Sequence, residues 1–281
     1  MKLNHQLLTY CVVFLFSFAY ALSNTIYDPI LVVVIMVKNE ETVMQATLQP
    51  FVDGGVDSFF VFDTGSTDKT IEVTQDFFNE NNIIHGYIEQ EPFIDFATSR
   101  NHALERAKRR FPYAAFILMI DAEWYVHNVA ALLDFCRLCL KRNDLYATYL
   151  IRIFNGDVDF YVPRLIRCES NAQFEGVVHE TINTQMRIKV PEDIYFNYNP
   201  SVQGIEKTQE RCKRDRELLY KEHIKNPTDK RALFYLAFTC EMLGNLEEAY
   251  DLYKKRVLLS HDISKKGQDG LSSWPFFDMF F

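Results

Sequence analysis

Leu31-Val32-Val33-Val34-Ile35-Met36-Val37 runs directly into Lys38-Asn39-Glu40-Glu41. An unbroken, mostly β-branched apolar run without polar alternation marks a strand buried on both faces, the kind a parallel sheet uses. The polar turn after it opens a helix through Leu48, which Pro50 and the Gly54-Gly55 pair are expected to close. The same alternation continues outward from this unit. Ser58-Phe59-Phe60-Val61-Phe62 is a second buried strand ending in Asp63-Thr64-Gly65-Ser66-Thr67-Asp68, and a helix follows over residues 69–79. A third strand is expected over 83–88 and a basic amphipathic helix over 96–110. A fourth strand over 114–120 runs into Asp121-Ala122-Glu123, and another helix covers 129–142. Strands alternating with helices imply right-handed crossovers and an α/β fold with a mainly parallel sheet.

Beyond residue 142 the pattern changes. Residues 147–154 and 160–167 are strand-like and flank Asn155-Gly156-Asp157, a hairpin signal. After a Pro- and Asn-rich stretch the chain is helical from about residue 204. There Leu233, Leu236, Ala237, Gly244, Ala249 and Tyr253 fall at the large, large, small, turn, small and aromatic places of a tetratricopeptide repeat. A solenoid this short cannot bury its own face, so it is expected to pack on the preceding domain or on a partner.

The 281 residues carry 38 acidic against 30 basic side chains, a formal charge of −8, which leaves no general basic surface for nucleic acid. Lys2 and His5 precede an apolar stretch from Leu7 to Phe18 and then Ala19-Tyr20-Ala21. That order reads as a signal peptide over 1–21, or a signal anchor where it stays uncleaved. It places the chain in the secretory pathway, in the endoplasmic reticulum or Golgi lumen or outside the cell, membrane-anchored if the segment remains. Cys136-x-x-Cys139 lies in an apolar helical pattern without a second Cys or His pair, so core thiols are expected there. The segments are therefore 1–21, a catalytic domain over 28–203, a helical segment over 204–263 and an aromatic tail over 264–281.

In open parallel sheets ligands bind beyond the carboxyl ends of the strands. Three polar clusters are delivered to that edge: Lys38-Asn39-Glu40, Asp63, and Asp121-Ala122-Glu123. Crowded carboxylates repel unless a cation or hydrogen-bond donors share the site. There is no dinucleotide glycine motif, phosphate loop or nucleophile elbow. A phosphate-bearing ligand therefore calls for a bridging metal. Asp121 and Glu123 on one side of an extended segment would hold it, and hard oxygen ligands favour Mn or Mg over Zn.

Read together, Ile35-Met36-Val37-Lys38-Asn39-Glu40-Glu41, Val61 to Thr70, Phe96-Ala97-Thr98-Ser99-Arg100-Asn101 and Met119-Ile120-Asp121-Ala122-Glu123 resemble the family 2 glycosyltransferases of GT-A fold. Phe174-Glu175-Gly176-Val177-Val178-His179-Glu180 is similar to a segment of the branch whose catalytic domain precedes tetratricopeptide repeats. The resemblance implies that the backbone at Val37 and Lys38 lines a nucleotide pocket, with Glu40 near the sugar or ribose. Asp63 would meet the base or ribose, and Arg100 the base or diphosphate. Asp121 and Glu123 stand at the family's metal motif, His179 is a further metal ligand, and Glu180 is the general base of an inverting displacement. The implied donor is UDP- or GDP-linked and the acceptor is a hydroxyl of a glycan, lipid or protein. The other reading is a degenerate transferase domain whose helical C-terminus binds a protein partner.

Overall fold

Odd-numbered residues of β1 (Leu31–Val37) enter one core and even-numbered residues enter another. This is the period of a strand applied to a sheet covered on both sides. The structure, a computed structural model, describes residues 27–144, 146–156, 159–184, 187–199 and 202–261. The signal-like segment and the aromatic tail lie outside the described residues. Among those described, no helix is long and apolar enough to cross a membrane.

The first core packs β1, β2 (Ser58–Asp63) and β4 (Phe116–Ile120) against α1 (Met44–Asp53), α2 (Thr70–Glu80) and α4 (Val129–Arg142). The second packs the other face against α3 (Phe96–Arg110) and the short pair β8 (Phe174–Glu175) and β9 (Thr181–Ile182). Each fully buried Val, Ile or Phe contributes on the order of 1.5–3 kcal/mol, so these strands dominate the stabilisation of the domain.

β3 (His85–Gln90), β2, β1 and β4 are parallel in that order. The sheet then turns mixed. β7 (Asp159–Arg167) is antiparallel to β4 and to β6 (Thr148–Phe154), as the hairpin signal implies. β6 pairs in parallel with β10 (Arg187–Lys189) and β11 (Tyr195–Tyr198), and β11 pairs antiparallel with β5 (Trp124–His127). Only the first half of the sheet is thus parallel throughout, the second half being mixed. Pro50 lies inside α1 and does not end it; Gly54 donates to the Pro50 carbonyl at the helix end. Proline at this position forgoes its own bond to the Ala46 carbonyl and its ring crowds that oxygen, and the burial of Met44, Leu48 and Phe51 offsets the cost. Cys136 and Cys139 are buried free thiols in the first core, and burial raises both pKa values.

The C-terminal helices are α5 (Val202–Lys225), α6 (Lys230–Met242) and α7 (Leu246–His261). Gly244 takes a φ of +80° in the turn between α6 and α7, a conformation that favours glycine. Leu233, Leu236, Ala237 and Ala249 are buried. A third core joins Leu219, Ala232, Tyr235, Leu236 and Cys240 to Val178, with Phe96 and Val177 packed against it. The helices therefore bury their apolar face on the domain that precedes them.

Candidate active site

β2, β1 and β4 are adjacent and parallel, with Val37 level with Asp63 and Ile35 level with Ile120. Their carboxyl ends consequently bring Lys38, Asp63 and Asp121 to one edge. The loop after β1 is stitched to the loop after β2. Asn39 N–H donates to Ser66 Oγ (2.9 Å), Thr67 N–H to Asn39 Oδ1 (2.7 Å), Glu40 N–H to Thr70 Oγ1 (2.8 Å) and Lys69 N–H to Glu41 Oε2 (2.8 Å). The Val37 carbonyl accepts from Thr64 N–H at 2.9 Å. Asp68 is a turn residue: Oδ1 takes Thr70 N–H at 3.0 Å and Oδ2 takes Glu41 N–H at 3.2 Å.

Asp63 is fully buried at the end of β2. Its Oδ1 accepts from Gly65 N–H (3.0 Å), Ser66 N–H (3.0 Å) and Gln90 Nε2 (3.2 Å), while Oδ2 is buried without a hydrogen-bond partner. One oxygen holds the loop in shape. The other is an unmatched acceptor, which is costly unless a ligand donor meets it.

Asp121, Arg100, Arg164 and Glu180 form one cluster of two cations and two anions. Arg100 projects from α3, whose N-terminus is capped by Asp95 through Thr98 N–H at 2.7 Å. Asn101 bolts the same turn to β8, giving Nδ2–H to the Phe174 carbonyl (2.9 Å) and accepting Phe174 N–H (2.8 Å). Arg100 Nη2 reaches Asp121 Oδ1 at 2.5 Å and its Nε lies 2.6 Å from Glu180 Oε1. Arg164, on β7, donates to the same Glu180 oxygen at 2.9 Å and lies 3.6 Å from Asp121 Oδ2. Its guanidinium also sits 5.4 Å from the ring centroids of both Trp124 and Phe174. Trp124 is a core residue against Phe196.

This arrangement changes the reading of Glu180. Burial alone would raise its carboxyl, but the charges of Arg100 and Arg164 overcome that and hold it down to about 2. A carboxylate so stabilised is a weak proton acceptor at neutral pH. Glu180 is placed as a counter-ion to two arginines, in contrast to the base expected from sequence. Arg164 was missed there. Its only signal is a charge set within the apolar run Val162-Pro163-Arg164-Leu165-Ile166.

The proposed metal ligands are also arranged differently from the expectation. Residues 121–123 form a turn with Glu123 in the left-handed region at φ +67°, so the extended segment with two carboxylates on one side is absent. Glu123 is buried and its N–H donates to Thr47 Oγ1 at 3.2 Å. His179, also left-handed at φ +50°, stacks on Tyr235 with ring centroids 4.2 Å apart, and its carbonyl accepts from Arg231. Among the described residues no three His, Cys, Asp or Glu side chains stand together as a cation site. With Asp121 held by two guanidinium groups, the residues as arranged do not fit a divalent ion. Two non-glycine left-handed residues beside one buried charge cluster are still notable, because such strain persists at sites that the surroundings over-determine.

The family model described as Glycosyl transferase family 2 matches residues 32–189, more than half of the chain. The chain belongs to this family. The matched span runs from β1 to β10 and takes in Asp63, Arg100, Asp121, Arg164 and Glu180. No curated protein sequence matches the transferase. Among solved structures it is similar to a mannosyltransferase, PcManGT, from Pyrobaculum calidifontis in complex with GDP-Man and Mn2+. The identity is 14% and the TM-score 0.49, with 86% of this chain and 77% of that one covered. A second likeness is to glucosyl-3-phosphoglycerate synthase from Mycobacterium tuberculosis in complex with Mn2+, UDP and glucosyl-3-phosphoglycerate, at 18% identity and TM-score 0.29. There 45% of this chain and 44% of that one are covered, so the transferase spans less than half of the synthase.

Proposed function

We propose that this family 2 glycosyltransferase moves a sugar from a nucleotide diphosphate donor, UDP- or GDP-linked, to an acceptor hydroxyl with inversion at the anomeric carbon. The observation that carries the reading is the unmatched, fully buried Asp63 Oδ2 at the carboxyl end of β2, inside the matched span. A nucleoside presents N–H and O–H donors, which is what that oxygen lacks. In this reading the backbone of Val37 and Lys38 lines the nucleotide pocket beside Asp63, with Glu40 near the ribose or sugar. Arg100 and Asp121 lie toward the diphosphate. Glu180 orients Arg100 and Arg164, and Arg164 joins the site as a positioning residue. The helical segment is proposed as a tetratricopeptide-like element docked on the catalytic domain, and the secretory lumen is the proposed compartment.

Calorimetric titration with UDP and GDP, each with and without Mn2+, tests this. Saturable binding of at least one nucleotide is expected, weakened on Asp63→Ala. A chain that binds neither nucleotide under any of the four conditions would overturn the reading. The adaptor alternative gains no observation of its own, because the buried face of the helices is already occupied by Val178, Val177 and Phe96.

A further inference from the structure

The charge cluster around Asp121 holds more donors than it uses. Arg100 and Arg164 are 3% and 8% exposed, and the Nη1 atom of each is buried without a hydrogen-bond partner. A buried guanidinium nitrogen left unmatched is unfavourable and calls for an acceptor that the fold itself does not supply. Glu180 is sunk between the two arginines and bonded to both. Asp121 is the outer member, with 30% of its side chain exposed just beyond the carboxyl end of β4. Its Oδ1 lies on Arg100 and its Oδ2 faces Arg164. Two planar guanidinium groups meeting one oxyanion suit phosphate as well as carboxylate, because the same fork of N–H donors matches both. The unmatched Asp63 Oδ2 is on the same edge, two strands away and so roughly 10 Å distant, the scale of a nucleoside. The side chains expected to hold a divalent ion do not converge on Asp121. Glu123 is buried in a left-handed turn, and His179 lies against Tyr235.

We propose that Arg100 and Arg164 hold the donor's diphosphate without a divalent ion, and that Asp121 is the resident anion which this diphosphate displaces. The inference rests on the transferase reading above and specifies how that site takes its donor. As the diphosphate enters, Asp121 turns outward and its place on the two guanidinium groups passes to phosphate oxygens. The two Nη1 atoms gain the acceptors they lack, and Arg164 becomes a direct ligand of the donor. Glu180 stays as the fixed counter-ion. The exchange leaves neither guanidinium unpaired, which is the condition for keeping two such charges buried.

The test is calorimetric titration of the full chain with UDP and GDP, once in excess EDTA and once in Mn2+, repeated on Asp121→Asn. The nucleotide that binds wild type should bind in EDTA, with Kd within about threefold of its value in Mn2+. In EDTA it should also bind at least about tenfold tighter than its nucleoside, the share of affinity that the diphosphate supplies. Asp121→Asn removes the competing anion and should bind the nucleotide at least about threefold tighter than wild type, where loss of a metal ligand would weaken it. A larger gain from Mn2+, a nucleotide that misses that margin over its nucleoside, or a folded Asp121→Asn whose affinity does not rise removes this inference and leaves the transferase reading standing. The wild-type comparison decides the matter by itself where Asp121→Asn does not fold. Binding of neither nucleotide under any condition removes the transferase reading and this inference with it.

Discussion

Arg164 of β7 and Glu180 of the loop after β8 share a hydrogen bond of 2.9 Å in a site where their side chains are 10% and 6% exposed. They are separated by 16 residues and brought together by the antiparallel return of β7 along β4. Removing one partner of such a pair strands a buried charge and costs about 3–5 kcal/mol. Arg164→Met should therefore lower stability by that order in urea denaturation. In the double variant with Glu180→Gln the loss should fall short of the sum of the singles by about 1 kcal/mol or more.

Glu180 and Asp215 give opposite dependences on pH. The folded-state pKa of Glu180 is lowered, so its stabilisation is full above about pH 4.5 and is lost as pH falls toward about 2. The folded-state pKa of Asp215 is raised, so its contribution is full below about pH 3.8 and is lost as pH rises through about 6. Asp215→Asn should thus be more stable than wild type at pH 7 by about 1–2 kcal/mol, the difference vanishing near pH 4. Urea unfolding at the two pH values measures it.

Asp63→Ala deletes the acceptor shared by Gly65 N–H, Ser66 N–H and Gln90 Nε2. Three donors lose their partner, and a stability loss of about 2–3 kcal/mol is expected. Nucleotide affinity should fall at least tenfold by calorimetry, because the unmatched Oδ2 goes as well.

Asp121 already has two guanidinium partners, at 2.5 Å and 3.6 Å. A divalent ion would have to displace them before gaining that ligand. Mn2+ alone should therefore bind the nucleotide-free chain weakly, with Kd of about 1 mM or above. Electron paramagnetic resonance of free Mn2+ gives the number directly, and micromolar binding to the free chain would contradict the prediction.

Tyr235 stacks on His179 and is buried in the third core. Tyr235→Ala removes a large ring from a packed junction at a cost of about 3 kcal/mol. Thermal unfolding should show the loss, and limited proteolysis should cut within 202–261 earlier than in wild type.

The parallel half of the fold is legible because its signals are local. Leu31–Val37, Ser58–Asp63 and Phe116–Ile120 are apolar without alternation, and only a sheet covered on both faces satisfies that pattern. The polar residues after them, Lys38, Asp63 and Asp121, follow from the direction of the strands. The mixed half is less legible. β5, β10 and β11 are three or four residues long, and strands that short leave too few positions for a period to show. Pro50 reads as a stop in sequence, yet tertiary packing of Met44, Leu48 and Phe51 carries α1 past it.

What the sequence by itself determined is which backbone segments are strands, which edge of the sheet is polar and which family the motifs resemble. These follow from nearest-neighbour periodicity and from strand direction. What only the tertiary structure decided is the charge state and partnership of the site. Glu180 is adjacent to His179 in sequence, but its chemistry is set by Arg100, 80 residues away, and by Arg164 on an antiparallel strand. Asp215 looks like any acidic residue in a helix until burial beside that cluster raises its carboxyl. Basicity is a property of the surrounding charges and of the water excluded, and both depend on contacts between residues distant in the chain.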